Sequence, residues 1–122
     1  MEPLDTQAEL IKALAHPTRL HILEALAREE ACVCHLTTLL QQRQANVSQH
    51  LMVLREVGLV QDRKDGVLVY YRLADQRVIE ALRLLREVLR SSGKPAPSPD
   101  IPTGPLANCP CPKCQNRGHS AK

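Results

Sequence analysis

Five cysteines carry the most distinctive chemistry in this 122-residue chain. Two of them, Cys32 and Cys34, flank Val33, and three form the run Cys109-Pro110-Cys111-Pro112-Lys113-Cys114, with His119 shortly after. A buried cysteine on its own is explained as a small hydrophobe, but a Cys-x-Cys pair and a Cys-x-Cys-x-x-Cys run are better explained as thiolate donors. Soft and borderline ions take such donors, with three or four ligands completing the shell. Two residues apart on a regular helix point about 200° away from each other. Cys32 and Cys34 can therefore share one ion only at a frayed or unwound helix start, where the helix terminus also favours the thiolate. Two sulfurs leave the shell incomplete, and the three tail cysteines offer the rest, the alternatives being a separate ion site in the tail or a thiol tail of no function. The segment from Ser92 to Cys109, in an extended polyproline-like form, spans roughly 50 Å, enough to reach Cys32 and Cys34 of its own subunit or of a partner.

An odd cysteine count argues against a disulfide framework. The N-terminus lacks the basic and apolar stretches of a secretory signal, and no apolar run is long enough to span a membrane. The expectation is a cytoplasmic protein with reduced thiols. Enzymatic chemistry finds no support: there is no phosphate-cradling glycine loop and no pair of catalytic carboxylates, and a cysteine adjacent in sequence to His35 is poorly placed to use it as a base.

The elements that must hold these cysteines are short helices and one hairpin. There is no Phe or Trp, and 18 of the 19 leucines precede Ser91, so the core is aliphatic and residues 1–91 form the folded domain. Seven of the nine prolines follow Ser91, which makes residues 92–122 a flexible, proline-rich tail with a cysteine cluster. The net charge of +3 belongs to that tail, because Lys/Arg and Asp/Glu balance at 12 each over residues 1–91. Thr6 and Glu9 have capping-box spacing and predict a first helix over roughly 7–15. Pro17 opens a second helix, with Leu20, Leu23 and Ala27 on one face. A third short helix carries Leu36, Leu39 and Leu40. Asn46 predicts the start of a fourth, which buries Val47, Leu51 and Leu54 and stops at Gly58. Residues 59–63 and 67–72 read as strands about an Asp65-Gly66 turn. A last helix after Asp75 carries Val78, Leu82, Leu85 and Leu89 on an apolar face broad enough to need a partner surface, which a second copy of the chain would supply.

This order predicts a mostly α fold with a β-hairpin, a homodimeric winged helix-turn-helix. On the fourth helix Asn46, Ser48, Gln49, His50 and Arg55 are suited to base edges and phosphates in a major groove. Arg43 and Gln44 precede it, and Arg63 and Lys64 sit at the hairpin tip, placed to reach the DNA backbone.

The motifs Ala13-Leu14-Ala15-His16-Pro17-Thr18-Arg19-Leu20, Cys32-Val33-Cys34-His35-Leu36, Asn46-Val47-Ser48-Gln49-His50-Leu51-Met52-Val53-Leu54 and Gly58-Leu59-Val60 occur in order at compatible spacing. Together they resemble the ArsR/SmtB family over about residues 5–90. The resemblance implies a homodimeric repressor that releases double-stranded operator DNA when an effector binds. The effector would be As(III)/Sb(III) or Cd(II)/Pb(II)/Zn(II), bound in such members at a Cys-Val-Cys motif, here Cys32 and Cys34, with no organic cofactor; Cys109, Cys111 and Cys114 lie in the tail, outside the resemblance, and are candidate ligands from their own spacing. Thr37 stands where arsenite-type members often carry a third cysteine, and His35 stands where Asp is common. The family's other ion site, on the last helix, needs a His that the helix after Asp75 lacks. His16 is expected to cap or pack, and His21 to be structural. Two alternatives stay open: a thiol redox or reactive-sulfur switch on the same fold, and a metal-buffering thiol protein.

Overall fold

The computed structural model describes residues 2–107 together with Cys109, Pro110 and Cys114. Five helices and three strands follow one another as α1 (Pro3–Leu14), α2 (Pro17–Arg28), β1 (Ala31–Cys32), α3 (Val33–Leu40), α4 (Gln44–Glu56), β2 (Val60–Asp65), β3 (Leu68–Leu73) and α5 (Arg77–Ser91). The strands form one antiparallel sheet in the order β1-β3-β2. The arrangement is a winged helix-turn-helix, with α3 and α4 as the helix pair and β2-β3 as the wing.

Local chemistry sets most boundaries. Pro3 and Pro17 each occupy the first turn of a helix, where a missing N–H costs nothing and φ is already helical. Pro3 therefore starts α1 earlier than the Thr6/Glu9 spacing predicts; both residues lie inside the helix, and Glu9 pairs with Lys12 at 3.6 Å. The Nδ1 of His16 accepts the Thr18 N–H at 3.1 Å, so His16 is the N-cap of α2. Gln41 closes α3 in the left-handed region, at φ 54°. Arg43 then turns the chain into α4, which begins two residues before the expected Asn46. The Asn46 side chain donates to Gln42 Oε1 at 3.3 Å, outside the helix, instead of capping it. Gln42 Nε2 in turn donates to Thr18 Oγ1 at 2.9 Å and ties this turn to the start of α2.

The wing loop is Gly66-Val67, one residue later than predicted. Asp65 pairs with Leu68, and Gly66 takes φ 63° in the first loop position. Strand β1 has no periodicity to betray it; two residues are too few. It is built by pairing Ala31 with Tyr71 and Cys32 with Tyr70.

The core is aliphatic: Ile22, Leu23 and Leu26 of α2, Leu36 of α3, Val47, Leu51 and Leu54 of α4, with Val60 and Leu82 closing it. The apolar stripe of α5 divides in two. Val78, Ile79 and Leu82 pack on the core, while Leu85 and Leu89 stay 57% and 42% exposed. With Ile11 and Leu14 of α1 and Leu20 of α2 they line an open apolar groove. Beside it the buried Glu24 carboxylate meets Arg86 at 3.0 Å and joins α2 to α5.

After Ser91 the chain carries no helix or strand as far as Ala107 and runs back along the body. Arg90 donates to the Ala96 carbonyl at 2.8 Å and Arg28 to the Pro99 carbonyl at 3.4 Å. Ile101 enters the main core at 7% exposure, and the Gly104 N–H donates to the Glu29 carboxylate. No helix among the described residues is long and apolar enough to cross a membrane.

Candidate functional site

Cys32 ends β1 and is the N-cap of α3. Its extended backbone, φ −82° and ψ 165°, places it outside the helix. The two-apart geometry of a regular helical turn therefore does not constrain Cys32 and Cys34. Sγ of Cys32 accepts the backbone N–H of His35 at 3.4 Å, as a serine oxygen would at an N-cap. Cys32 is 1% exposed, and the Cys34 side chain is half-buried against it.

The returning tail brings further sulfur to this point. Cys109 and Cys114 are 0% and 1% exposed and form one buried cluster with Cys32, against which Cys34, Tyr70 and Leu106 pack. The Leu106 N–H donates to Cys114 Sγ at 3.1 Å, and the Cys109 N–H to the Leu106 carbonyl at 3.3 Å. His35 joins them at 2% exposure, its Nδ1 3.3 Å from Cys114 Sγ. The donor atoms of His35, Cys109 and Cys114 all lie within 4.8 Å of one another. Of the five cysteines expected to bind an ion, four thus fall in one neighbourhood of a single subunit, and Cys111 lies outside the described residues. A donor set of sulfur and imidazole nitrogen fits thiophilic and borderline ions and excludes hard, oxygen-seeking cations. N–H groups aimed at sulfur favour the thiolate that such ions require.

Sequence reasoning passed over His35 as a donor. The clue was available: with Cys32 as N-cap, His35 is the third helical residue, the one whose N–H a capping side chain holds.

The residues read as DNA-contacting fall on α4, at its start and in the wing. Helix α4 buries Val47, Leu51 and Leu54. At about 100° per residue, the opposite side is centred on Ala45, Gln49 and Met52, which are exposed, with Asn46, Ser48 and Arg55 on its flanks. Ala45 and Met52 lie outside the polar set read from the sequence, and apolar side chains of this kind suit thymine methyl groups. Arg43 and Gln44 are exposed at the start of the helix. His50 lies at the edge of the face, its ring 4.4 Å from that of His16. Burial, then His16 and Arg19, hold its pKa below the ordinary value. Arg55 pairs with Asp62 of β2 at 3.0 Å.

In the wing, Lys64 is exposed, while Arg63 folds back from the tip. Its guanidinium donates to both Glu30 oxygens, at 3.1 and 2.6 Å, and lies 4.8 Å from the Tyr70 ring centroid. The wing is thereby tied to the residues leading into Cys32. On α5, the Asp75 carboxylate is bound by the Arg77 guanidinium and backbone N–H, which hold its pKa down at about 2.

Comparison with known proteins places this geometry. The profile of the "Bacterial regulatory protein, arsR family" matches residues 16–62, the span from the α2 cap through α4 into the wing. The arsenical resistance operon repressor of Escherichia coli K12 is 45% identical over 83 residues, covering 67% of this chain and 71% of that protein. The crystal structure of Mycobacterium tuberculosis Rv0081 superposes with a TM-score of 0.68 at 38% identity, covering 75% of this chain and 94% of that one. The solution structure of the homodimeric winged helix-turn-helix DNA-binding domain of Mycobacterium bovis Mb0332 does so with a TM-score of 0.66 at 35% identity, covering 73% and 82%. The Escherichia coli protein is named a repressor and the Mycobacterium bovis protein a possible ArsR-family transcriptional regulator, and the Cys32-Val33-Cys34 motif of this chain opens the third helix of the shared fold. The chain belongs to the ArsR/SmtB family of helix-turn-helix transcription regulators.

Proposed function

We propose that the protein is a homodimeric repressor that binds operator DNA and releases it when a thiophilic ion occupies the cysteine site. Residues 1–91 act as the DNA-binding and dimerisation domain, and residues 92–122 as a tail that delivers ligands. The apolar groove between α1 and α5 is the surface for the second copy, as the homodimeric relative suggests. Two α4 helices then face neighbouring major-groove segments. Ala45, Ser48, Gln49 and Met52 meet base edges, while Arg43, Gln44, Asn46 and Lys64 meet phosphate.

One observation carries the switch. Cys32, the residue against which the tail thiols pack, is at once the last residue of β1 and the cap of α3. Cys32 pairs with Tyr70 in the wing, and Glu30, two residues earlier, grips Arg63. Helix α3 supports α4. A displacement of Cys32 on ligation, with Cys34, Cys109, Cys111 and Cys114 as the accompanying thiolates, therefore reaches both DNA-contacting elements. The required free energy is modest: coupling of about 1–3 kcal/mol changes operator affinity roughly 5- to 150-fold, and thiolate ligation supplies more.

The test is fluorescence anisotropy of a labelled promoter fragment with the reduced full-length protein. Nanomolar binding that weakens on adding zinc, cadmium, lead or arsenite is expected. Binding unchanged by all four overturns the ion switch. Loss of binding with oxidant alone favours the redox alternative.

A further inference from the structure

We propose that residues 96–101 of the returning tail form one rim of the surface that receives the second copy, so that tail docking and dimer assembly strengthen each other. The inference rests on the reading of the apolar groove as the dimer surface. It adds to that surface a segment beyond residues 5–90, the stretch that resembles the family.

Three observations converge. First, the tail edges the groove without filling it. Pro99 and Asp100 line it together with Ile11, Leu85 and Leu89, yet with the tail in place those three apolar side chains stay 52%, 57% and 42% exposed. An apolar patch of this kind marks a contact surface, and whatever covers it also meets Pro99 and Asp100. Second, the segment is fixed where it lies. Arg90, in the last turn of α5, donates to the Ala96 carbonyl at 2.8 Å and to Ser98 Oγ at 3.4 Å. Arg28, at the end of α2, donates to the Glu24 carbonyl at 2.8 Å and to the Pro99 carbonyl at 3.4 Å. Ile101 then enters the main core. Pro95, Pro97 and Pro99 have little backbone freedom to lose on docking. Third, the groove asks its occupant for apolar surface. Its buried carboxylate, Glu24, is taken up within the subunit by Arg86 at 3.0 Å and Arg28 at 3.6 Å. A two-fold contact sets the same patch against itself, and the exposed leucines of α5 in a second copy supply that surface.

The consequence is linkage. A second copy that binds the docked tail better than the free tail shifts the tail towards docking, and docking tightens the dimer by the same factor. A dimer contains two tails, so the effect enters twice. Cys109 and Cys114 lie further along the same tail, so assembly also favours their burial.

The experiment uses the reduced full-length protein with a chelator present. Sedimentation gives the dimer dissociation constant of wild type, Ile101→Ala and Leu85→Glu. Ile101 is buried in the core and is not among the residues lining the groove, so its truncation acts by freeing the tail, whereas Leu85→Glu places a charge in the groove itself. Wild type should dimerise and Leu85→Glu should stay monomeric at the same concentrations. Ile101→Ala should dimerise at least about tenfold more weakly, because the docked fraction falls in both subunits. Since Ile101→Ala also thins the core, a second measurement uses wild type alone. The amides of Asp100, Ile101 and Gly104 should exchange hydrogen at least about threefold more slowly above the dimer dissociation constant than below it. An unchanged or tighter dissociation constant in Ile101→Ala, or tail exchange independent of protein concentration, overturns the inference; with Leu85→Glu monomeric, the groove reading still stands. Wild type that stays monomeric, or Leu85→Glu that dimerises as wild type does, overturns both.

Discussion

Ile101 lies eight residues before Cys109 and supplies no ligand, yet its truncation should weaken ion binding. Its side chain is 7% exposed and packs in the main core of the domain. Among the described tail residues it is the one buried in the main core; Leu106 packs on the cysteine cluster, and hydrogen bonds from Arg28, Arg90 and Gly104 add further ties. Ile101→Ala removes three carbons, worth about 2 kcal/mol of burial. The domain can avoid a cavity by letting the tail detach, so the loss falls on docking more than on global stability. Ordering a dozen residues costs enough that docking without an ion is close to balance, and a loss of about 2 kcal/mol then tips it to the undocked state. Ion affinity follows docking and should fall about 10- to 30-fold, since 1.4 kcal/mol is tenfold. Ile101→Val, which loses one carbon, should cost about threefold to fourfold. The assay is competition with a chromophoric chelator, accompanied by limited proteolysis of residues 92–107 without ion. The charge-transfer spectrum of the loaded site should be the same in all three proteins. Equal ion affinity in wild type, Ile101→Val and Ile101→Ala would refute the docking argument.

Three further outcomes are expected. Glu24→Gln leaves Arg86, whose side chain is 20% exposed, without its carboxylate, and should destabilise the fold by about 2–3 kcal/mol in urea denaturation, discounted from a fully buried pair because Arg86 retains some solvent. Replacing both Glu24 and Arg86 with leucine should recover most of that loss. The fold favours neutral His50, whose pKa lies below 6.5. Its contribution is fully present above that value and is lost as pH falls through 6.5 towards the folded pKa; urea midpoints should therefore drop between neutral and mildly acidic pH, and His50→Gln should remove that part of the dependence. Gln41→Gly relieves a left-handed φ of 54° at the end of α3 and should raise stability by up to about 1 kcal/mol, read as a thermal midpoint several degrees higher.

Apolar spacing, proline positions and the Thr6/Glu9 pair were sufficient to find α1 to α5, because 3.6-residue spacing survives in sequence whatever the tertiary context. Helix starts were less legible. Pro3 overrode the Thr6/Glu9 spacing, and Asn46 had a tertiary partner in Gln42 that no local pattern announces. Strand β1 exists only because β3 pairs with it, so two residues of sequence cannot disclose it. The two cysteine groups were legible as candidates for one site, but their meeting within a single subunit was not. It depends on Ile101 finding the core, a long-range event, and on Cys32 leaving the helix to become its cap. The same step hid His35, whose burial against Cys114 spans 79 positions of chain.

The most direct test of the switch is reciprocal. If ligation at Cys32 and operator binding oppose each other, operator DNA must weaken ion binding by the same factor as the ion weakens DNA binding. Zinc or cadmium affinity should be measured for the full-length dimer alone and in its operator complex. At least about tenfold weaker ion binding on DNA is predicted. Equal affinity in the two states would contradict the coupling of the cysteine site to the DNA-binding elements.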